Sequence, residues 1–340
     1  MPQINENSVV SAPNEKIDAV YLWCDGSDPA FREEKVRLQK ALGLPSEEDH
    51  TGDQRFADNE ELRFSLRGLE KNAPWVNHIW IVTNRQRPAW LRDHPKVTIV
   101  DHKEIIPAHL LPTFNSGVIE AYIDRIPGLQ EKFIYLNDDM FIARPVDPGF
   151  FFEGDLPVVR LRPPQKDMPW QTIEEVENVI RTEAVHSFRR TQLRAWLVFS
   201  KKHGARPIRV LAHAVDGLTK SAMREVYARY PEILETNVSP FRTGKCIHRL
   251  IFQLEMAYAM GAKLVTAEKP GFLLKHFPAL SRQKLETFEG TECEKIRERT
   301  LRYRPVMFCF NADPKMDPEN RQKTKQFLEK LFPEPSPFEK

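Results

Sequence analysis

The chain predicts an α/β protein in which a mostly parallel central sheet is flanked by helices and interrupted by a helical insertion. Three observations carry this. Short runs rich in β-formers alternate with helix-period runs through the first 145 residues, the pattern of strands joined by crossover helices. The first of those strand runs lacks breakers, as suits a central strand covered on both faces. From residue 146 to 205 the alternation gives way to a stretch punctuated by Pro148, Pro157, Pro163, Pro164 and Pro169.

Taken in order, Ile17–Cys24 reads as a central strand running into Asp25-Gly26-Ser27-Asp28-Pro29, a dense turn signal. A charged helix over Ala30–Leu42 follows, then a polar loop over Pro45–Asp58. Asn59 is placed to cap a helix whose Leu62, Leu66, Leu69 and Ala73 form one apolar stripe. Arg63 and Arg67 project from a different face and are read as solvated. His78–Thr83 and Lys96–Val100 are short strands, Ser116–Ile126 a helix, and Lys132–Leu136 a strand again. One helical stretch is expected between Ile173 and Trp196, within an insertion that would serve as a lid or acceptor-binding element. Helical stripes return at Met223, Val226, Tyr227 and Tyr230, and at Ile251, Leu254 and Tyr258; these are packing features. Lys263–Thr266 is a late strand, and Asp317 followed by Pro318 opens a last helix with Phe327, Leu328 and Leu331 on its apolar face. The resulting organisation is a lead-in over residues 1–16 and one Rossmann-like domain over 17–340, its halves 17–145 and 206–340 separated by the insertion.

With 340 residues the chain is long enough for a sizeable core. Its 50 Lys+Arg against 48 Asp+Glu argue against a nucleic-acid binder while leaving room for a local basic pocket. The four cysteines, Cys24, Cys246, Cys293 and Cys309, form no C-x-x-C pair, so neither a disulfide framework nor a zinc site is indicated. Cys24 and Cys309 lie in apolar runs and are expected as buried thiols. Met1–Lys16 is polar without a signal core, and no apolar run reaches the ~18 residues needed to span a bilayer. The expectation is a cytoplasmic protein, with peripheral attachment at the inner face of the membrane left open.

The most informative run is Lys132-Phe133-Ile134-Tyr135-Leu136-Asn137-Asp138-Asp139, a strand that delivers adjacent carboxylates to its C-terminal end. Such an end can hold a divalent cation against a phosphate, or it can be a solvated Asn-Asp-Asp turn. Asp25-Gly26-Ser27-Asp28 likewise follows a strand, where a ligand crevice is expected, but without the Lys-Ser/Thr ending of a P-loop it could equally just reverse the chain. His213 sits in Leu211-Ala212-His213-Ala214-Val215, an apolar setting that suits a packed histidine as well as a base. Glu120 and Arg125 are five apart and make no standard helical pair, and Asn115 with Ser116 reads as a helix cap first and a ligand contact second.

Four separated segments together resemble the Stealth family, which includes bacterial capsule polymerases and the N-acetylglucosamine-1-phosphotransferase that marks lysosomal enzymes. The first is Ile17 through Pro29. The second runs from Arg55 through Arg67, Ala73-Pro74-Trp75-Val76, Ile81-Val82-Thr83-Asn84 and Leu111–Ser116 to Asp139. The third is His213 with Thr219-Lys220-Ser221 and then Phe241-Arg242, and the fourth is Cys309–Asp313 with the Phe332–Glu339 tail.

The resemblance implies transfer of a sugar-1-phosphate, commonly GlcNAc-1-phosphate from UDP-GlcNAc, onto an acceptor hydroxyl, with UMP leaving and Mg²⁺ or Mn²⁺ present. It implies that Asp138 and Asp139 hold the cation with Asn311 or Asp313, that His213 is the general base and that Arg242 contacts the phosphate. By the same resemblance Asp25, Gly26, Ser27, Asp28, Arg63, Asn115, Glu120, Arg125 and Lys220 are candidate contacts to the nucleotide-sugar donor or the glycan acceptor. Two departures stand out. Ala312 replaces the aspartate of the family's usual Asn-Asp, with Asp313 one place later, and Asn237-Val238-Ser239-Pro240 is atypical ahead of Arg242. Against the transferase reading stand two others: a metal-dependent glycosyltransferase that releases UDP, and a catalytically decayed nucleotide-sugar-binding protein.

Overall fold

A computed structural model describes residues 15–44, 52, 56–164, 168–212, 214–267, 287–290, 293–310 and 318–340. His213, Asn311, Asp313 and Asp317 lie outside the described residues. The first half supplies strands β1 (Ile17–Leu22), β2 (Ile79–Thr83), β3 (Val97–Asp101), β4 (Lys132–Asn137) and β5 (Met140–Ile142). Its helices are α1 (Pro29–Ala41), α2 (Glu61–Asn72), α3 (His102–Ile105) and α4 (Ser116–Glu120). Short strands β6 (Phe152–Glu153), β7 (Leu156–Pro157) and β8 (Val159–Leu161) lead to helices α5 (Ile173–Arg181) and α6 (Ser187–His203). Then come β9 (Asp216–Thr219), α7 (Lys220–Arg229), α8 (Glu232–Thr236), α9 (Leu250–Tyr258) and β10 (Leu264–Thr266). The chain closes through β11 (Thr287–Gly290), α10 (Cys293–Tyr303), β12 (Met307–Phe310) and α11 (Pro318–Leu331).

The central sheet has the order β3-β2-β1-β4-β9, parallel except for β9. Its middle strands are buried along their length, which is why they read as unbroken apolar runs. From β1 the chain steps to β2 and β3 on one side and then crosses to β4 on the other. The C-terminal ends of β1 and β4 therefore flank a topological switch point, where open α/β sheets form their ligand crevice. Leu22 is level with Asn137, so the turn after β1 and the carboxylate pair after β4 emerge side by side. β9 runs the other way, with Asp216 opposite Tyr135, so the chain enters it at this same edge.

One face of the sheet carries Val20, Leu22, Val82 and Tyr135 into a large core with α6, α7 and α9. The other carries Ala19, Tyr21, Ile81 and Leu136 against the Leu62, Leu66 and Leu69 stripe of α2. A separate cluster, including Phe64, Phe141, Phe308, Phe310, Phe327 and Phe332, joins α2 and β5 to β12 and α11.

Four expectations are corrected. The helix expected over Ser116–Ile126 stops at Glu120 and continues as a 3-10 turn over Ile123–Arg125, because Tyr122 leaves helical geometry (φ −126°). The single stretch between Ile173 and Trp196 is two helices, broken where Glu183 takes φ 53°. Asn59 does not cap α2; it bonds the Glu61 carboxylate, and Glu60 stands in the cap position at φ 66°. Arg67 is not solvated but 9% exposed, with Nη2 donating to Glu339 at 2.7 Å and Nη1 to the Phe332 carbonyl at 2.9 Å. Of the thiols, Cys309 is buried as expected and Cys24 is half-buried. No helix among the described residues is long and apolar enough to cross a membrane.

Candidate functional site

Asp138 and Asp139 form the turn between β4 and β5. The turn is held by its own groups: Asp139 N donates to Asp138 Oδ1 at 3.1 Å and Phe310 N donates to the Asp139 carbonyl at 3.0 Å. The Cys309 thiol bonds the Asp139 carboxylate. The other oxygen, Asp139 Oδ1, is buried and has no hydrogen-bond partner. Two more carboxylates face the pair from the start of α2. Burial, then the charges of Asp139, Glu61 and Asp58, push Asp138 well above the ordinary carboxylate range. Burial and the Glu61 charge bring both Asp139 and Asp58 up to about 7, and burial raises Glu61 as well.

These residues fit a divalent cation. A buried carboxylate oxygen left unbonded costs free energy that a cation would recover. Crowded carboxylates also repel until a positive charge joins them. Among the described residues no three acidic, histidine or cysteine groups converge as a ready-made metal cage. That is compatible with Mg²⁺, which takes one or two carboxylates and fills its remaining positions with phosphate oxygens and water.

On the β1 side, Gly26 is forced by packing: a Cβ there would sit 2.6 Å from the Phe56 carbonyl oxygen, which the Gly26 amide itself bonds. Gln86 grips Asp25 through both amide atoms, accepting from Asp25 N at 3.0 Å and donating to Asp25 O at 2.7 Å. The side chains of the turn have local duties. Asp25 Oδ1 accepts from Ser27 N at 2.8 Å, and Asp28 Oδ1 caps α1 by accepting from Phe31 N at 2.8 Å.

The third wall is α4. Asn115, 1% exposed, accepts from Gly117 N and donates Nδ2 to the Ser239 carbonyl at 3.0 Å, which clips the 239–242 segment onto the helix start. Arg242 Nη2 donates to Ser116 Oγ at 2.7 Å, with its guanidinium 5.2 Å from the Phe188 ring centre. One turn further, Glu120 accepts from the Tyr135 hydroxyl at 3.0 Å, and that hydroxyl is also 3.0 Å from Asn137 Oδ1. Burial raises the Glu120 carboxyl while Arg249 opposes it.

The fold thus brings the Asp25–Asp28 turn, Asn115, Glu120, Arg242, Asp138 and Asp139 to one edge of the sheet. Ala214 and Val215 reach that edge on their way into β9, and Ala212 and Ala214 are buried in the same core cluster as Leu136 and Met140. Three predicted contacts are not brought there. Lys220 follows Thr219, which pairs with Lys132 at the opposite end of β4, about 20 Å away by strand rise, and donates to the Leu129 carbonyl. Arg125 is exposed and stacks 4.5 Å from the Tyr122 ring centre. Arg63 is spent on Glu339 (2.6 Å) and Glu60 (3.1 Å). Sequence reading passed over Asp58, Glu61, Gln86, Tyr135 and Arg249. Asp58 and Glu61 left a trace as acidic residues within the Arg55–Arg67 segment, and Tyr135 as a member of the Lys132–Asp139 run.

Residues 15–42 match Stealth protein CR1, conserved region 1, and residues 55–158 match Stealth protein CR2, conserved region 2. The chain thus carries two conserved regions of the Stealth family. It is 34% identical to an exopolysaccharide phosphotransferase of Streptomyces coelicolor, over 95% of this chain and 52% of that protein. It is 43% identical to a capsular polysaccharide phosphotransferase of Neisseria meningitidis serogroup B, over 42% of this chain and 39% of that protein. The chain therefore spans about half the length, or less, of these curated relatives. Among solved structures, the galactosyltransferase LgtC in complex with donor and acceptor sugar analogs aligns with a TM-score of 0.42 at 11% identity, over 94% of this chain and 96% of that one.

Proposed function

We propose that this chain is a phosphotransferase that moves a hexose-1-phosphate, GlcNAc-1-phosphate in the first instance, from a UDP-sugar to an acceptor hydroxyl in capsule or exopolysaccharide synthesis. The observation that carries the reading is the Asp138–Asp139 turn at the switch-point crevice, with its unbonded Asp139 Oδ1 among four carboxylates. The names of the relatives support the reaction class. Asp138 and Asp139 would hold Mg²⁺ or Mn²⁺, with Asn311 or Asp313 as a further oxygen donor, and the bound cation would neutralise the donor diphosphate.

The remaining work falls to side chains. Arg242, anchored on Ser116, presents a donor fork to non-bridging phosphate oxygens. His213 takes the proton of the acceptor hydroxyl. A bond forms from that oxygen to the sugar-bearing phosphorus as the bond from phosphorus to the UMP oxygen breaks. Asn115 and Gln86 place the flanking loops.

Incubation of purified protein with UDP-GlcNAc, Mg²⁺ and a glycan acceptor, followed by chromatography of the nucleotide, tests the proposal. UMP and a phosphodiester product are expected. UDP in place of UMP would make the chain a glycosyltransferase, and saturable donor binding without any release would make it a binding protein.

A further inference from the structure

We propose that Arg249, braced by Asp216, is a positioning residue that fixes Glu120 against Tyr135 and so aligns the Asn137–Asp139 turn. The inference rests on the phosphotransfer reading for its kinetic consequence, though not for its structural one. Arg249 immediately precedes α9, and its side chain is 8% exposed. It is ion-paired to Asp216, the first residue of β9, and its Nε lies 3.6 Å from Glu120 Oε2, at the end of α4. Its guanidinium is 5.1 Å from the ring centre of Tyr135 in β4. One cation therefore ties four elements that are far apart in sequence.

The connection then runs on to the carboxylate turn. Glu120 Oε1 receives the Tyr135 hydroxyl, which lies 3.0 Å from Asn137 Oδ1, and Asn137 precedes Asp138. Beside this network a mostly apolar cavity is walled by Ile123, Leu218, Met223 and Phe252, with Gln253 as a further polar side chain in its lining. The charged groups acting on Glu120 are Arg249, Arg242 and Asp216, so Arg249 stands between two carboxylates and Arg242 adds a further positive charge. A buried ion pair kept only for stability is readily replaced by apolar packing. Here the polar chain ends at the candidate cation site, which gives the charged network a chemical purpose.

Two variants test this. Arg249→Lys keeps the charge but loses the planar fork that spans Asp216 and Glu120. Tyr135→Phe removes one oxygen and no charge, and serves should the lysine variant fail to fold. In folded variants, hydrogen exchange of peptides covering residues 116–126 and 133–142 is compared with the parent, alongside kcat and donor KM. Faster exchange in both peptides is expected, with kcat down about 100-fold for Arg249→Lys and about tenfold for Tyr135→Phe and donor KM within about threefold. Unchanged exchange, unchanged kcat, or a loss confined to KM overturns the inference. If the parent releases no nucleotide from UDP-sugars, the phosphotransfer reading fails on its own, and the exchange comparison alone decides the positioning role.

Discussion

Asp139 combines a buried carboxylate oxygen without a bond and a carboxyl group raised by burial and by the neighbouring Glu61 charge. A residue kept for stability would show the reverse. Asp139→Asn is therefore expected to lower nucleotide release by about two to three orders of magnitude, since it removes half of a cation-binding pair. The same change relieves repulsion, so the melting temperature without divalent metal should hold or rise. Nucleotide release and a metal-free thermal melt on one preparation check both halves, and retained activity would discard the ion site. At this scale the sequence was half legible. Asp138 and Asp139 were visible because a strand and its turn are local patterns. Asp58, Glu61 and Arg249 were hidden because their roles depend on which distant carboxylates share a space. Arg63 and Arg67 were misread for the same reason: their partner, Glu339, is more than 270 residues away.

At the scale of elements, α2 is fastened on two sides to different chemistry. Its first turn brings Glu61 to the carboxylate cluster, and its outer side grips the C-terminal tail through Arg63 and Arg67 on Glu339. Phe338 is fully buried beside this contact, and Arg92 N bonds its carbonyl at 2.7 Å. Burial alone would raise the Glu339 carboxyl, but bonds from Arg67, Ser336 N and Arg63 outweigh it and bring the group down to about 2. A carboxylate depressed on folding stabilises fully above its unfolded value of about 4.3, and loses that contribution as pH falls toward the folded one. Glu339→Ala is thus expected to cost about 3 kcal/mol at pH 7, by stranding Arg67, and much less at pH 2. Denaturant titrations of parent and variant at the two pH values measure the gap; a constant gap would exclude the ion pair as its source. Strands and helix stripes were readable from periodicity, apart from breaks such as Tyr122 and Glu183. Those breaks are set by backbone angles at single residues that carry no strong turn chemistry.

For the whole molecule, the crossing from β3 to β4 sets a topological switch point beyond the C-terminal ends of β1 and β4, where open α/β sheets form an opening for ligands. Alternation of elements foretold the mostly parallel sheet, while strand order and the antiparallel β9 followed only from packing. Carboxylates gathered at that opening from the end of β4 and the start of α2 make the native fold electrostatically costly there, and unfolding disperses them. A divalent cation that binds only the assembled crevice must then stabilise the entire fold, by about 2.7 kcal/mol at one hundred times its dissociation constant. Mg²⁺ or Mn²⁺ is accordingly expected to raise the melting temperature by several degrees and EDTA to reverse the rise, with Na⁺ at matched ionic strength giving no comparable shift. Asp139→Asn should abolish most of the response, whereas Glu339→Ala, lower in stability but intact at the crevice, should keep it. An equal metal response in all three proteins would place the cation elsewhere and remove the carboxylate turn from the chemistry.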